Sequence, residues 1–269
     1  MPVRSRSWAR RTWRKVSTWL TYRYRVARRT VITIEGVRIR IGKHMSRRVE
    51  RALSKGGYER EELRLIGAVL SPADVVLEVG AGLGLVSTYC AQRIGSNRVF
   101  AYEADPELEP CIRETYELNG VDPTLEMCAV GARAGRVTLH RDKHLVSSSV
   151  VRRRVGSRPV EVPGRALNYV VDKARPTLLV IDAEGAERDL FDGAKLATVN
   201  KIVLELHERV IGVDGTERVR TQLAGLGFEV NQALSSPEHL VVERNSTAAL
   251  PSASTSRATH VTDRDPTEQ

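Results

Sequence analysis

The chain has 269 residues, 41% of them apolar, and a formal net charge of +9, enough to bury one sizeable α/β core and leave tails at both ends. No apolar run approaches the ~20 residues needed to span a bilayer, and the N-terminus lacks the apolar segment of a secretory signal, so a soluble body is expected. Cys90, Cys111 and Cys128 are odd in number and scattered, which argues against a disulfide framework and for buried thiols in a reducing, cytoplasmic setting.

The positive charge is concentrated at the start. Residues 1–55 carry 17 Lys/Arg against Glu35 and Glu50, whereas the remainder has 25 basic and 31 acidic residues. Residues 1–30 read as a basic aromatic arm. Within 8–25, Ala9, Trp13, Val16, Leu20 and Tyr24 share one helical face and Arg10, Arg11, Arg14, Lys15 and Arg25 the other, with Trp8, Trp13 and Trp19 in the same stretch. Four readings stay open: an interfacial helix at the cytoplasmic face of an anionic membrane, a nucleic-acid arm, packing on the chain's own body or a partner, or an Arg-rich organellar presequence. Residues 31–70 should form a hairpin and helical cap: 31–41 alternate and turn at Glu35-Gly36, and 46–70 look helical with a break at 56–59 that sets Tyr58 and Glu59 beside the pocket.

From 71 to 244 the pattern repeats strand, turn and helix. Strands are expected at 75–79, 98–102, 125–130, 136–140, 177–181, 201–206, 228–231 and 239–243. Helices are expected at 85–94, 106–119, 166–172 and 216–226. Such alternation implies a doubly wound, mostly parallel sheet of Rossmann-like α/β type. Residues 245–269, rich in Ser, Thr, Ala and Pro, should be a disordered tail.

The first strand ends Val79-Gly80-Ala81-Gly82-Leu83-Gly84, and Glu103 closes the second strand 23 residues after Gly80. Glycines let the chain turn sharply and bring backbone N–H groups to a ligand, and a carboxylate at the second strand end can accept both hydrogens of a ribose diol. The nicotinamide fingerprint wants its third glycine at position 85, which is leucine, so the spacing favours S-adenosyl-L-methionine over a dinucleotide. Glu78, Gly80, Gly82 and Gly84 are expected at its amino-acid end and turn, Glu103 at the ribose, and Cys128, Ala129 and Val130 at adenine.

Leu178-Leu179-Val180-Ile181-Asp182-Ala183-Glu184-Gly185-Ala186-Glu187 puts three carboxylates past the carboxyl end of a buried strand, where open α/β sheets bind ligands. Acids there also stabilise a helix N-terminus. We assign Glu187 to that structural duty, and Asp182 and Glu184 to the reaction. His207, just past the next strand, has the intrinsic pKa of a general base, with Asp182 and Glu184 holding the acceptor or orienting it. His140 and His144 flank Asp142, but a strand end does not converge two imidazoles four residues apart, and no metal is expected.

Taken together these segments resemble the FkbM family of S-adenosylmethionine-dependent methyltransferases. The similarity runs from about Tyr58 to Phe228: Val79–Ser87 resembles the family's glycine turn, Tyr102–Pro106 its acidic strand end, Asn119 its helix-ending asparagine, Ala129-Val130-Gly131 its short strand, Ser147–Ser149 its serine loop, 181–187 its Asp-x-Glu-Gly-Ala-Glu motif, and Glu205 with His207 the acidic strand end that follows. Glu78 stands where Asp is commoner, and Gly82 where Asn is frequent. Val180 replaces a frequent Lys, and Asn168 an Asp that could have acted as a base. The resemblance implies O-methylation of a hydroxyl on a saccharide, lipid-linked or natural-product small molecule. RNA methylation through the arm, or a non-catalytic cofactor-fold binding protein, are the alternatives.

Overall fold

In the computed structural model, residues 31–42, 47–55, 57–141 and 158–244 are described. The basic arm, the serine cluster 147–149, Asp142, His144 and the tail 245–269 lie outside them.

The chain opens with β1 (Val31–Ile34) and β2 (Val37–Arg40), an antiparallel pair whose turn holds Glu35 and Gly36 at φ +47° and +89°, the left-handed pair a two-residue hairpin loop needs. Helices α1 (Arg47–Ser54) and α2 (Arg60–Val69) follow. Ile34, Ile39, Leu63 and Ile66 share one apolar cluster with Leu83 and Val86 of the body, so residues 31–70 pack onto the sheet rather than around a centre of their own. Asn119 anchors the hairpin: its side chain accepts the Arg38 N–H at 2.8 Å and donates to the Arg38 carbonyl at 2.6 Å.

The body is built on β3 (Val76–Val79), α3 (Leu85–Ile94), β4 (Val99–Glu103), α4 (Glu109–Asn119), β5 (Thr124–Met127), β6 (Ala129–Gly131), β7 (Gly135–Arg141), β8 (Arg158–Ala166), α5 (Leu167–Ala174), β9 (Leu178–Ile181), α6 (Glu187–Leu190), β10 (Lys201–Glu205), α7 (Glu208–Gly225), β11 (Phe228–Val230) and β12 (His239–Arg244). Seven strands form one sheet in the order β11-β12-β10-β9-β3-β4-β5. The five from β10 to β5 are parallel, and β12 and β11 close one edge antiparallel. This is the doubly wound, mostly parallel sheet expected. Every residue of β3 and β9 is buried, as sheets covered on both faces require. The chain builds outward from β3 through β4 to β5, then crosses to β9 on the other side of β3. The carboxyl ends of β3 and β9 therefore flank the switch point, where such sheets open a ligand crevice.

Three elements depart from the sequence reading. The strand expected over 125–130 is two strands, β5 in the main sheet and β6 in a separate three-stranded sheet of order β6-β8-β7, divided at Cys128. Strand β8 was not expected, because Pro159 and Pro163 discourage a strand. It tolerates both because β6 pairs only with residues 164–166, leaving the stretch before them without a neighbour on that edge among the described residues. Helix α7 starts at Glu208, eight residues earlier than expected. Gly212 interrupts it with non-helical angles, and this break with Gly215 hid the first turns. Among the described residues no helix is long and apolar enough to cross a membrane.

Candidate functional site

The glycine turn is held by strand ends rather than by its own side chains. Gly80 and Ala81 both donate to the Tyr102 carbonyl of β4, at 2.8 and 3.1 Å, and Asp182 N–H donates to the Val79 carbonyl at 2.9 Å. Gly80, Gly82 and Gly84 all have positive φ. At Gly80 the close approach decides: a Cβ there would lie 1.8 Å from the Asp182 carbonyl oxygen. The glycine thus lets the turn pass against the strand end that carries the acids.

Glu103, ending β4, points into this turn. Its Oε2 accepts the Gly82 N–H at 2.9 Å and its Oε1 the Asp105 N–H at 2.7 Å. Burial raises its pKa to about 7 against the pull of these bonds. The Ala104 backbone N–H also leans on this carboxylate, which has about four lone-pair sites in all. Asp105 is fixed in turn by Arg141 of β7 through Oδ1 and Oδ2 at 2.6 and 3.1 Å, which ties the small sheet to the rim.

A cleft of about 670 Å³, counting its mouth, opens over the turn, lined by Gly80, Gly82, Glu103, Cys128, Ala129 and Val130 among others, with Leu108 and Leu139 as apolar wall and Tyr58 and Glu59 at one side. Leu108 and Leu139 carry no motif and could not have been singled out from sequence. Two residues expected at a ligand stand elsewhere. Glu78 is buried beneath the turn, outside the cleft lining, with the Ser87 hydroxyl as partner and its pKa raised by burial to about 8. Tyr116 of α4 donates to Ser87 Oγ at 2.9 Å, so this chain of groups braces α3 against α4. Gly84 faces away too, its missing Cβ directed at Ile112 and Tyr116, 3.0 and 3.1 Å away.

The cleft lining also includes Asp182, Ala183 and Glu184, and His207 stands beside Asp182 and Glu184. Its ring Nδ1 is 3.1 Å from Glu187 Oε1, which also accepts the His207 backbone N–H at 3.0 Å, while Glu187 Oε2 accepts the Gly185 N–H at 2.6 Å. Helix α6 begins after Ala186, so Asp182 is no helix cap and Glu187 is the acid that holds the loop. Around Nε2 stand Glu184 Oε2 at 3.3 Å, Asp182 Oδ1 at 3.5 Å and Glu205 Oε1 at 3.7 Å. Burial works against a charged ring, but the Glu187 bond and the carboxylates of Asp182 and Glu184 outweigh it and raise the His207 pKa to about 9. Left alone with these neighbours the ring is an imidazolium near neutral pH, a donor instead of the free base expected from its intrinsic pKa. The Asp182 pKa is raised as well, by burial and by the nearby Glu205 and Glu184. Glu62 of α2 was missed. An acid four residues before Ile66, on the face that buries Leu63, Leu65 and Ile66, was the available signal.

A profile of the methyltransferase FkbM domain matches residues 78–230. No curated protein matches the chain significantly. Similar solved structures include a methyltransferase FkbM from Methylobacillus flagellatus KT, at 13% identity and TM-score 0.45, covering 86% of this chain and 59% of that one. TYW2 from M. jannaschii in complex with AdoMet has 14% identity and TM-score 0.44, covering 80% and 86%. A Pyrococcus abyssi tRNA (uracil-54, C5)-methyltransferase with S-adenosyl-L-homocysteine has 12% identity and TM-score 0.47, covering 79% and 43%.

Proposed function

The chain belongs to the FkbM methyltransferase family, and from that premise we propose that it methylates a hydroxyl oxygen of a saccharide, lipid-linked or natural-product small molecule. The methyl donor is S-adenosylmethionine, which supplies an electrophilic methyl group when bound. The residues present fit it: Glu103 offers a carboxylate at the cleft lining for a diol, Gly80 and Gly82 leave backbone exposed at the cleft floor, and Cys128, Ala129 and Val130 form a wall of small side chains.

The observation that carries the acceptor side is the pair of acids in the cleft lining, Asp182 and Glu184, with His207 beside them. Displacement at a sulfonium needs an acceptor oxygen in line, and orientation alone can supply up to ~7–11 kcal/mol of barrier lowering. Asp182 and Glu184 are placed to hold acceptor hydroxyls. A hydroxyl must also lose its proton, and Asp182, a carboxylate that lines the cleft, is placed to receive it. His207 and Glu187 keep that loop in place. Asp182→Asn should lower turnover about 100-fold, the low end for a positioned base, because Glu184 and Glu205 stay nearby. Donor affinity should stay within about threefold, read by calorimetry; unchanged turnover would remove Asp182 from the reaction.

The pH dependence of donor binding follows from Glu103. Its folded pKa of about 7 lies above the ordinary 4.5, so the folded chain holds this proton more tightly and Glu103's contribution to stability declines as pH rises from about 4.5 to 7. The ionised form accepts both ribose hydroxyls. Donor affinity should therefore fall about tenfold per pH unit below 7 and level off above it, and Glu103→Gln should flatten the profile. A flat wild-type profile between pH 5.5 and 8.5 would contradict this role. For the acceptor, incubation with methyl-labelled donor and sugars, glycolipids or RNA is the test. Label on a hydroxylated small molecule supports the proposal; label on RNA alone, which the basic arm would favour, overturns it.

A further inference from the structure

Glu62, Asp182 and Glu205 come from α2, the turn after β9 and the end of β10, and one oxygen of each lies within 4.8 Å of the others. Carboxylates gathered so closely cannot all stay ionised without a cation or shared protons. Glu62 is only 4% exposed, and no hydrogen bond or ion pair from any described residue reaches its carboxylate, which faces the other two acids. A buried, unpartnered acid on the apolar face of a helix is costly unless something else is bound there. Asp182 Oδ1 is shut off from solvent and accepts no hydrogen bond among the described residues.

His207 sharpens the point. When an ion displaces the Nε2 proton, the Nδ1–H donated to Glu187 leaves the Nε2 lone pair toward Glu184, Asp182 and Glu205, the arrangement in which a carboxylate fixes the tautomer of a metal-binding histidine. The gaps of 3.3, 3.5 and 3.7 Å around Nε2 are long for hydrogen bonds. The first two suit ligands of one ion, since atoms about 2.1 Å from a shared metal stand about 3.0–3.6 Å apart at angles of 90–120°, and the Glu205 gap lies just outside that range.

We propose that one divalent cation of the Mg²⁺ or Mn²⁺ type binds at Asp182, where Glu62 and Glu205 come close on one side and Glu184 and His207 Nε2 on the other, between the sheet and the acceptor side of the cleft. Carboxylate oxygens with one imidazole suit a hard or borderline ion. The sequence reading expected no metal because it weighed only His140 and His144; these ligands are assembled from three separate segments. Because Asp182 lines the cleft, coordination positions on that side are open to neighbouring oxygens of an acceptor. That use rests on the methyltransferase reading; the binding of the ion does not.

The test is titration of the full-length, chelator-treated protein with Mn²⁺, following loss of the free-ion paramagnetic resonance signal, with S-adenosylhomocysteine binding measured on the same sample. One Mn²⁺ per chain is expected, displaced by Mg²⁺ in excess. Glu62→Gln and Glu205→Gln should each weaken it at least about tenfold, and Glu187→Gln, which only orients His207, about 10- to 100-fold. Circular dichroism checks that each variant folds. The wild-type protein gives a readout without any variant: bound Mn²⁺ should broaden the His207 ring proton signals. S-adenosylhomocysteine binding without Mn²⁺ binding overturns the cation site and leaves the methyltransferase reading standing, since protons alone then balance the acids. Mn²⁺ binding untouched by all three substitutions overturns it as well. Mn²⁺ binding lost in them, with no S-adenosylhomocysteine bound, supports the ion and counts against the donor cleft.

Discussion

Replacing Glu103 with alanine is expected to weaken S-adenosylmethionine binding about 10²- to 10⁴-fold. The carboxylate is offered to two ribose hydroxyls, and a hydrogen bond to a charged group contributes about 1.5–3 kcal/mol. Two of them span that range at 1.4 kcal/mol per tenfold. The side chain also gathers the Gly82 and Asp105 N–H groups, so its loss loosens the turn and should add to the effect. Glu103→Gln keeps one acceptor oxygen and should fall between. Calorimetry on the three proteins checks this, and an alanine variant within about threefold of wild type would contradict it.

Gly80→Ala should damage the fold itself. A Cβ 1.8 Å from the Asp182 carbonyl oxygen meets backbone, which cannot swing aside, and φ of +92° adds strain of about 1–3 kcal/mol. Relief would require β3 and β9 to part at their carboxyl ends, with loss of the bond from Asp182 N–H to the Val79 carbonyl. We expect at least about 3 kcal/mol of destabilisation, a fall in Tm of about 6–12 °C for a chain of this size, and no measurable donor binding. Gly36→Ala is the control. Its φ is +89° but nothing lies within 4 Å of the added atom, so strain acts there without a clash and the fall should be a few degrees. Equal melting shifts for the two would contradict the close-approach account.

Both effects trace to features visible in the chain before its fold was known. The glycine turn and Glu103 were legible because a strand buried on both faces is a continuous apolar run, and β3, β4, β9 and β10 each read that way. Asp182, Glu184 and His207 were legible as residues just past such strands. Their electrostatics were not. The raised pKa of His207 depends on Glu187, Asp182 and Glu184, which follow β9, meeting a ring carried at the end of β10, a distance set by strand register and not by spacing along the chain. Glu62 enters the same group from α2, far away in sequence. Glu78 misled for a related reason: its place in the motif suggested a ligand contact, whereas strand alternation turns it under the turn toward Ser87. Strand β8 was hidden by its two prolines, which are harmful only where a neighbouring strand needs their missing N–H.

A crystal structure of the protein soaked with S-adenosylhomocysteine tests the central claim most directly. The ribose hydroxyls should lie within hydrogen-bond distance of Glu103, the amino-acid end over Gly80 and Gly82, and the sulfur facing the wall of Asp182 and Glu184. Density for the ligand elsewhere on the chain, with Glu103 contacting only the N–H groups of Gly82 and Asp105, would contradict the account.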